Sequence, residues 1–283
     1  MIKLKPSQAL DQVRWAMFHN SDMVHTAKWQ SQDISGNSAA RMVEVLHYQM
    51  RMDLSNGTDI ESWQKDIPAN YPWAEDHFKE RVCGAALNPG IEWQNWPWAD
   101  KADSSRNKKG QFNHNYMERY WPKQANDWPT TTIEEFEGRI LTEDKLNPLC
   151  GIRGEYGDLD DLIFMLANEP DSRQAYLPVW FPEDTGILNK GRKPCTLGYH
   201  FIMRNGRLDV TYHIRSCDYF RHFDDDVYLT IRLAIHVLQS CRMINPEVWG
   251  NVKLGELIMN ITSLHMFLGD YHVTFKQKHP KES

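Results

Sequence analysis

The sequence predicts an α+β protein with one large mixed or antiparallel sheet and flanking helices. Two stretches that alternate apolar and polar residues are joined by Asn205-Gly206, a strong hairpin signal. A long apolar helix and a further long strand follow, over 225–243 and 254–267. The 283 residues contain no low-complexity linker, so we expect a single domain over 1–283.

The first half of the chain predicts fewer regular elements. Ser7 can cap a first helix. Residues 41–54 partly alternate apolar and polar side chains, as in a half-buried strand, and Asn56-Gly57 then offers a turn. Helical spacing recurs over 73–84 and 133–141.

A tryptophan-rich stretch over 88–130 interrupts this pattern and indicates a long insertion with an exposed basic tip near 101–109. Its tryptophans suit core or interface packing better than stacking on nucleic acid. Beyond it, a helix is predicted from Asp158 to Leu166. Strands are expected over 174–181, 196–204 and 207–215. The last strand of the chain precedes a short helix and a polar tail over 276–283.

Composition argues against several classes of protein. The formal net charge is -6 without a long Lys/Arg run, so long nucleic acid is a poor partner, although a small anionic ligand is compatible. The five cysteines form no C-x-x-C pair, and neither a disulfide framework nor a zinc ribbon is expected. The N-terminus lacks an apolar signal core, and no apolar run approaches ~20 residues. We therefore expect a cytoplasmic protein without a membrane segment.

Two short motifs carry reactive chemistry. Pro194-Cys195 opens a predicted strand, and Arg215-Ser216 lies on the neighbouring one. An arginine and a hydroxyl can lower the pKa of a thiol while they hold an anion. Taken alone, Cys195 is more often a buried structural thiol, and an Arg-Ser pair an ordinary surface feature. A cysteine-hydrolase pair with His200 is disfavoured, because a spacing of five residues on a strand places His200 on the opposite face.

Five segments together resemble the thymidylate synthase family. They are YQMRMDLSNG (48–57), PDSRQ (170–174), PC (194–195), RSCD (215–218) and SLHMF (263–267). The separation of Pro-Cys, Arg-Ser-x-Asp and the late histidine makes the combination specific. The resemblance covers most of 40–75 and 110–275. It implies a thymidylate-synthase-like fold and a homodimer that forms through the sheet.

The resemblance also implies roles for the residues that would bind a pyrimidine nucleotide. Cys195 would be the nucleophile that adds to C6, and Arg215-Ser216 would bind the 5′-phosphate. Arg173 would reach this phosphate from the partner subunit. His265 would touch the sugar, and His200 stands where the family usually has a glutamine behind the base.

Further roles concern proton transfer. Tyr116 matches a family tyrosine near the reacting carbon. Glu80 is our choice for the buried glutamate that organises proton transfer and water. Glu75 is the competitor, because this helix aligns loosely.

The implied cosubstrate is 5,10-methylenetetrahydrofolate. Asp218 would approach its pterin, and Trp96 with its neighbours could cover the folate. Lys108 and Lys109 could contact the carboxylates of the folate tail. No metal is implied, since the histidines near the C-terminus lack ligand spacing with nearby carboxylates or thiols.

The departures from the family pattern affect the phosphate and the base. Synthases usually carry two adjacent arginines where this chain has Arg173-Gln174, and Arg41 is a possible substitute for the missing one. Counted without gaps from Arg215, Asp226 occupies the position of the asparagine that reads uracil. Phe267 replaces a common tyrosine and removes a probable sugar contact, which leaves ribose or deoxyribose open.

An aspartate at position 226 favours cytosine. Cytosine presents an N3 acceptor and an N4 amino donor, and a protonated carboxyl can satisfy both. A mismatched buried polar pair costs about 1–3 kcal/mol. The alternative is that the acidic triplet Asp224–Asp226 only caps the following helix; Asp224 or Asp225 is expected to do so in either case.

This aspartate, with Pro-Cys-Thr and Ser-Leu-His, resembles the phage deoxycytidylate hydroxymethylases within the family. What the resemblance implies is transfer of a one-carbon unit to C5 of dCMP or CMP, finished by water, in a bacterial or phage-infected cytoplasm. Within the family, the alternative is a hydroxymethylase or synthase that uses dUMP. From another class, the alternative is a non-catalytic nucleotide- or RNA-binding homologue.

Overall fold

A computed structural model describes residues 4–24, 28–29, 32–99, 106, 110–123, 157–185 and 192–278. The predicted helix over 133–141, Lys108, Lys109 and most of the basic tip lie outside these ranges. The strands are β1 (Asp22–Val24), β2 (Lys28–Trp29), β3 (Gln32–Asp33), β4 (Met42–Asp53), β5 (Tyr176–Pro178), β6 (Thr196–Arg204), β7 (Arg207–Ile214), β8 (Cys217–Asp218) and β9 (Lys253–Phe267).

The helices lie around this sheet. They are α1 (Pro6–His19), α2 (Ile60–Asp66), α3 (Trp73–Arg81), α4 (Tyr116–Tyr120), α5 (Leu159–Asn168), α6 (Pro182–Thr185), α7 (Phe223–Ile244), α8 (Pro246–Trp249) and α9 (Leu268–Lys278). Short 3-10 turns occupy Ser38–Ala40 and Ile91–Asn95.

The main sheet has the strand order β1-β4-β9-β7-β6-β5, and β8 pairs with β9. The β9 strand runs parallel to β7 and β8 and antiparallel to β4, so the sheet is mixed. Helix α7 supplies much of the core; the side chains of Ile231, Ile235 and Leu238 are fully buried. The α+β prediction, with a large mixed sheet and flanking helices, is therefore confirmed.

The predicted hairpin is present between β6 and β7. Asn205 and Gly206 both have positive φ, 52° and 69°, as a tight primed turn requires. The strand over 41–54 and the helices over 73–84 and 158–166 also form, within a few residues at each end. At the opposite end of the hairpin, next to Cys195, the start of β6 lies beside the end of β7, with Thr196 opposite Ile214.

Four local predictions are wrong. Ser7 lies inside α1, which begins at Pro6 because proline needs no N–H partner in the first turn. The strand over 174–181 shortens to β5, since the amides of Val179 and Trp180 both donate to the Leu197 carbonyl at a bulge. The helix after β9 continues to Lys278, into the predicted tail.

The fourth correction concerns the acidic triplet. Helix α7 begins at Phe223, and neither Asp224 nor Asp225 caps it with its side chain. Asp225 instead accepts two hydrogen bonds from Asn70, from the backbone and the side-chain amide, each 2.8 Å long. It thereby joins the α2–α3 connection to α7, and all three aspartates occupy the first turn.

The described parts of the 88–130 stretch pack against the rest of the molecule. Tyr120 and Trp121 are buried in the main core, and Arg119 forms a buried ion pair with Asp184 at 2.7 Å. The stretch therefore supplies core residues as well as surface, and it brings α4 beside the start of β6.

Candidate active site

The predicted nucleophile lies in a short segment that precedes β6. The amide of Arg215, just beyond the end of β7, donates to the Cys195 carbonyl at 2.9 Å. The Arg215 guanidinium donates to the carbonyls of Pro194 and Lys193 at 2.9 and 3.1 Å. Arg215 thus fixes the backbone around the thiol, and Ser216, which follows it in the chain, is half-buried.

Burial dominates the electrostatics of this thiol. It raises the pKa of Cys195 above its ordinary value, while the charges of Arg215 and Arg192 act in the opposite direction. Nearby Asp226 and Asp218 add to the raised pKa. The sequence-based expectation that an arginine lowers this pKa is correct in direction, but burial outweighs it in the free protein.

A chain of hydroxyl groups leads from the nucleophile segment into the core. The Tyr116 hydroxyl lies 3.0 Å from Thr196 Oγ1, which lies 2.8 Å from the Tyr212 hydroxyl. Tyr212 in turn hydrogen-bonds Asp226. The Tyr116 hydroxyl, predicted to be near the reacting carbon, is therefore hydrogen-bonded to the residue that follows Cys195, and the chain of hydroxyls connects it to Asp226.

Asp226 is a partly buried carboxyl at the far end of this chain. Burial raises its pKa to about 7; the neighbouring Asp225 adds to the shift and the Arg81 charge opposes it. The Cys217 thiol lies 3.7 Å from its Oδ2 atom. A carboxyl with this pKa is partly protonated near neutral pH, and the protonated form can both donate and accept a hydrogen bond.

The two glutamates considered for proton transfer have different surroundings. Glu75 accepts from Arg232 at 2.7 and 3.0 Å and from the Tyr228 hydroxyl at 2.8 Å, a buried link between α3 and α7. Glu80 is 9% exposed and lies 3.1 Å from His77 Nδ1. Glu75 is thus committed to helix packing, whereas Glu80 adjoins Arg81, which faces the Tyr116 ring at 4.0 Å.

Asp218 and His265 face each other across β8 and β9. One carboxylate oxygen of Asp218 accepts from the amides of Phe220 and Arg221, each at 3.1 Å, and so forms the turn before α7. Among the described residues, the buried His265 Nδ1 has no hydrogen-bond partner. That unpaired nitrogen suits a ligand contact at this point.

Trp96 lies on the other side of this turn. Its ring stacks on His222 with centroids 5.3 Å apart and an interplanar angle of 15°. Its buried Nε1 also lacks a hydrogen-bond partner within the described ranges. Burial lowers the pKa of His222 to about 4, so this stack is uncharged near neutral pH.

Three predicted binding residues are not brought to the thiol. His200 lies on the half-exposed face of the sheet, where its Nε2 contacts the Arg173 carbonyl at 3.0 Å and its ring meets Tyr176. Its assignment behind the base stays a prediction, and within this chain its ring contacts Tyr176 and not the described cluster. Arg173 and Arg41 are both exposed, and no hydrogen bond or ion pair joins their side chains to the cluster among the described residues.

Sequence reasoning missed several residues of the cluster. Arg81 and Arg192 supply positive charge, and Thr196 and Tyr212 supply the hydroxyl chain. Arg81 ends a charged helix segment, KER, that resembles a solvated helix terminus. The spacing of four residues between His77 and Arg81, on one helix face, was the available signal.

Two features of the described residues concern metal ions and membranes. No group of three or more His, Cys, Asp or Glu side chains there is arranged to hold a metal ion. Within the same ranges, every helix is too short or too polar to span a bilayer.

The fold and this cluster define an α+β protein with a cysteine near two cations and a partly buried carboxyl. The family model for thymidylate synthase matches residues 21–279. The chain therefore belongs to the thymidylate synthase family, whose enzymes bind a pyrimidine nucleotide and methylenetetrahydrofolate.

Individual relatives agree with this assignment. The chain is 24% identical over 246 residues to the thymidylate synthases of Listeria monocytogenes and Listeria innocua, covering 80% of this chain and 74% of each relative. The thermostable thymidylate synthase A from Bacillus subtilis has a similar structure, with a TM-score of 0.60 at 19% identity. That similarity covers 93% of this chain and 80% of the other, and at this identity it concerns the fold alone.

Proposed function

We propose that the protein transfers a one-carbon unit from 5,10-methylenetetrahydrofolate to C5 of dCMP or CMP and releases the 5-hydroxymethyl nucleotide. The observation that carries this proposal is the position of Asp226, partly buried, 3.7 Å from the Cys217 thiol and with a pKa of about 7. A protonated carboxyl donates to cytosine N3 and accepts from the N4 amino group. The uracil edge has the reverse pattern.

The reaction begins with addition of Cys195 to C6 of the ring. The thiol gives its proton to water and attacks as the thiolate, and binding of a phosphate dianion against Arg215-Ser216 places the nucleotide next to it. A proton from Asp226 to N3 balances the negative charge that addition places on the ring. C5 becomes nucleophilic and takes up the methylene group that the folate supplies.

The last stage requires water at the new exocyclic carbon. Loss of the C5 proton expels tetrahydrofolate and leaves an exocyclic methylene group on C5. Water adds to this methylene, elimination of the Cys195 thiolate restores the aromatic ring, and N3 returns its proton to Asp226. Glu80 is the residue proposed to orient this water, through the network it shares with His77 and Arg81. Tyr116, hydrogen-bonded to Thr196, is proposed to relay the C5 proton.

The surroundings of Asp218 suit the flat ring of a folate. Trp96 stacked on His222 forms an aromatic wall, and the unpaired Nε1 of Trp96 and Nδ1 of His265 offer two polar contacts. We propose the pterin for the Trp96 and Asp218 side and the nucleotide sugar for His265.

We also propose that the protein acts as a homodimer. The half-exposed sheet face carries a continuous row of side chains, formed by Gln49, Asn260, His213, Tyr176 and His200. Stacking two such faces would bring Arg173 toward the partner's phosphate site, with Arg41 as a further phosphate contact from the same chain.

The proposal is tested by the product. CMP, dCMP, UMP and dUMP are incubated separately with methylenetetrahydrofolate, and the products are identified by mass spectrometry. We expect a hydroxymethyl group on a cytosine nucleotide and unoxidised tetrahydrofolate. A methyl group on dUMP would identify a synthase, and release of no tritium from C5-labelled nucleotides would indicate a binding protein.

A further inference from the structure

The backbone that leads up to the nucleophile is held by two residues from elsewhere in the fold. The carbonyls of residues 193–195 all accept from Arg215: Nη2 and Nε of its guanidinium donate at 3.1 and 2.9 Å, and its amide donates at 2.9 Å. The preceding carbonyl, that of Arg192, lies 3.1 Å from His114 Nδ1. His114 therefore attaches this segment to the molecule at a point that does not depend on Arg215.

This hydrogen bond fixes the proton on the His114 imidazole. A carbonyl oxygen can only accept, so Nδ1 must carry the proton and donate it. Burial, together with the charge of Arg119, lowers the pKa of His114 to about 3, so the ring is neutral near neutral pH. His114 thus acts there as an uncharged donor to the backbone.

The chain on both sides of His114 is itself anchored. Before it, the Phe112 amide donates to Asn88 Oδ1 and Asn88 Nδ2 donates to the Phe112 carbonyl, each at 2.9 Å. After it, the Asn115 amide donates to Glu118 Oε2 at 3.1 Å, at the start of α4. The imidazole therefore projects from a fixed stretch of backbone toward the nucleophile segment.

A second contact from the same stretch lies on the other side of the nucleophile. The Tyr116 hydroxyl lies 3.0 Å from Thr196 Oγ1, the residue that follows Cys195. His114 and Tyr116, two residues apart, thus hold the chain at Arg192 and at Thr196. The thiol lies between these two points of attachment.

Arg215 has a second task in the proposed function, which is to bind the 5′-phosphate. Among the described residues, Nη1 of its guanidinium has no hydrogen-bond partner, whereas Nε and Nη2 each donate to a carbonyl. A phosphate that pairs with two guanidinium nitrogens must share at least one of them with the nucleophile segment. The bond from His114 is independent of that change.

We propose that His114 is a positioning residue, which holds the backbone before Cys195 through its Nδ1–H and keeps the thiol in place when Arg215 binds the phosphate. The catalytic consequence rests on the proposed function. A displacement of about 1 Å at a reacting atom can cost on the order of 100-fold in rate. Without its donor, the Arg192 carbonyl gains by turning toward water, and the segment would move with it.

The test compares three substitutions of His114 in the full-length protein. His114→Phe keeps a ring next to Tyr116, whose centroid is 6.4 Å from that of His114, and loses the N–H. His114→Leu loses both the ring and the donor, and His114→Asn loses the ring but keeps an N–H near the position of Nδ1. Alkylation by iodoacetamide at a fixed pH is followed by peptide mass spectrometry, and the exposed Cys83 is the reference thiol in the same molecule.

We expect Cys195 to react about 5-fold faster or more in the folded Phe and Leu variants, because exposure lowers the raised pKa of this thiol toward its ordinary value. His114→Asn should react at the wild-type rate, and Cys83 should react equally in all four proteins. Equal rates at Cys195, or a His114→Asn protein that reacts as fast as His114→Phe, would overturn the proposal. Failure of both the Phe and Leu variants to fold would also overturn it, since the bond would then serve the whole fold.

Steady-state kinetics test the catalytic consequence. With the best substrate among CMP, dCMP, UMP and dUMP, kcat should fall about 10- to 100-fold in the Phe and Leu variants, with a smaller change in KM, and should recover in His114→Asn. An unchanged kcat in the folded Phe variant would overturn the catalytic role. If no nucleotide is converted, the proposed function fails, and the alkylation rates still decide whether His114 positions the thiol.

Discussion

The carboxyl of Asp226 lies in the first turn of α7, close to the Cys217 thiol and at the end of the Tyr116–Thr196–Tyr212 chain. Asp224, in the same turn, has a similarly raised pKa of about 7 but lies near Arg14 and not near the thiol cluster. The two residues therefore form a matched pair for separating base recognition from simple loss of charge.

We predict that Asp226→Asn shifts base preference from cytosine toward uracil, because an amide presents both a donor and an acceptor to the uracil edge. The change in the ratio of kcat/KM values should lie between about 5- and 150-fold. The measurement is kcat/KM for dCMP and dUMP in parallel. Asp224→Asn is the control and should leave the ratio unchanged; equal ratios in all three proteins would remove the basis for the cytosine assignment.

The same two carboxyls predict how stability depends on pH. Their folded-state pKa values are raised, so the stability they contribute is present below about pH 4 and is lost as pH rises through about 7. Urea unfolding should therefore show Asp226→Asn gaining stability over wild type at about pH 8 and little or none at about pH 4. A gain of equal size at both pH values would contradict the buried, ionisable state of Asp226.

At the scale of elements, α3 carries two glutamates with separate tasks. Glu75 joins α3 to α7 through Arg232, and both side chains are largely buried, at 13% and 9% exposure. Glu80 faces His77 and the backbone near Gly90. Burial raises the pKa of Glu80, but hydrogen bonds from His77 and the Glu92 amide outweigh it and hold the pKa below its ordinary value.

We predict that Glu75→Gln lowers the free energy of unfolding by about 3 kcal/mol, since it leaves Arg232 without its partner. The kcat of the folded fraction should change little. Glu80→Gln should do the opposite, with a small loss of stability and a large loss of kcat at nearly constant KM. Urea unfolding together with steady-state kinetics separates the two, and a kcat loss confined to Glu75→Gln would reverse the assignment.

The sequence predicts the long elements well and their ends poorly. The hairpin, β9 and α7 follow from alternation, the Asn-Gly turn and a continuous apolar run, which are local signals. The bulge at Leu197, which shortens β5, depends on contacts between distant segments. The site shows the same division: Cys195 and Arg215 carry a motif, whereas the burial of Arg81 arises only from tertiary packing.

At the scale of the whole molecule, the proposed dimer would complete the phosphate site. Arg173 lies on the half-exposed side of the sheet, beside His200, and away from Cys195 of its own chain. A single chain therefore lacks this contact if the resemblance to the family holds for phosphate binding.

We predict that Cys195→Ala and Arg173→Ala are each nearly inactive alone and that a mixture, after subunit exchange, recovers about a quarter of wild-type activity. Half of the dimers would then be mixed, each with one complete site. Light scattering should report a dimer for each variant. A monomeric mass, or recovery of no activity in a mixture of exchanged dimers, would show that Arg173 does not act across an interface.

The covalent bond between Cys195 and a cytosine ring is tested most directly with 5-fluoro-dCMP and 5-fluoro-CMP in the presence of methylenetetrahydrofolate. Fluorine cannot leave C5 as a proton does, so the reaction should stop at a covalent complex of enzyme, nucleotide and folate. Intact-protein mass spectrometry should show the added mass of both ligands, and peptide mapping should place it on Cys195, with none on Cys195→Ser. Absence of an adduct with either cytosine analogue, or an adduct at another cysteine, would contradict the account.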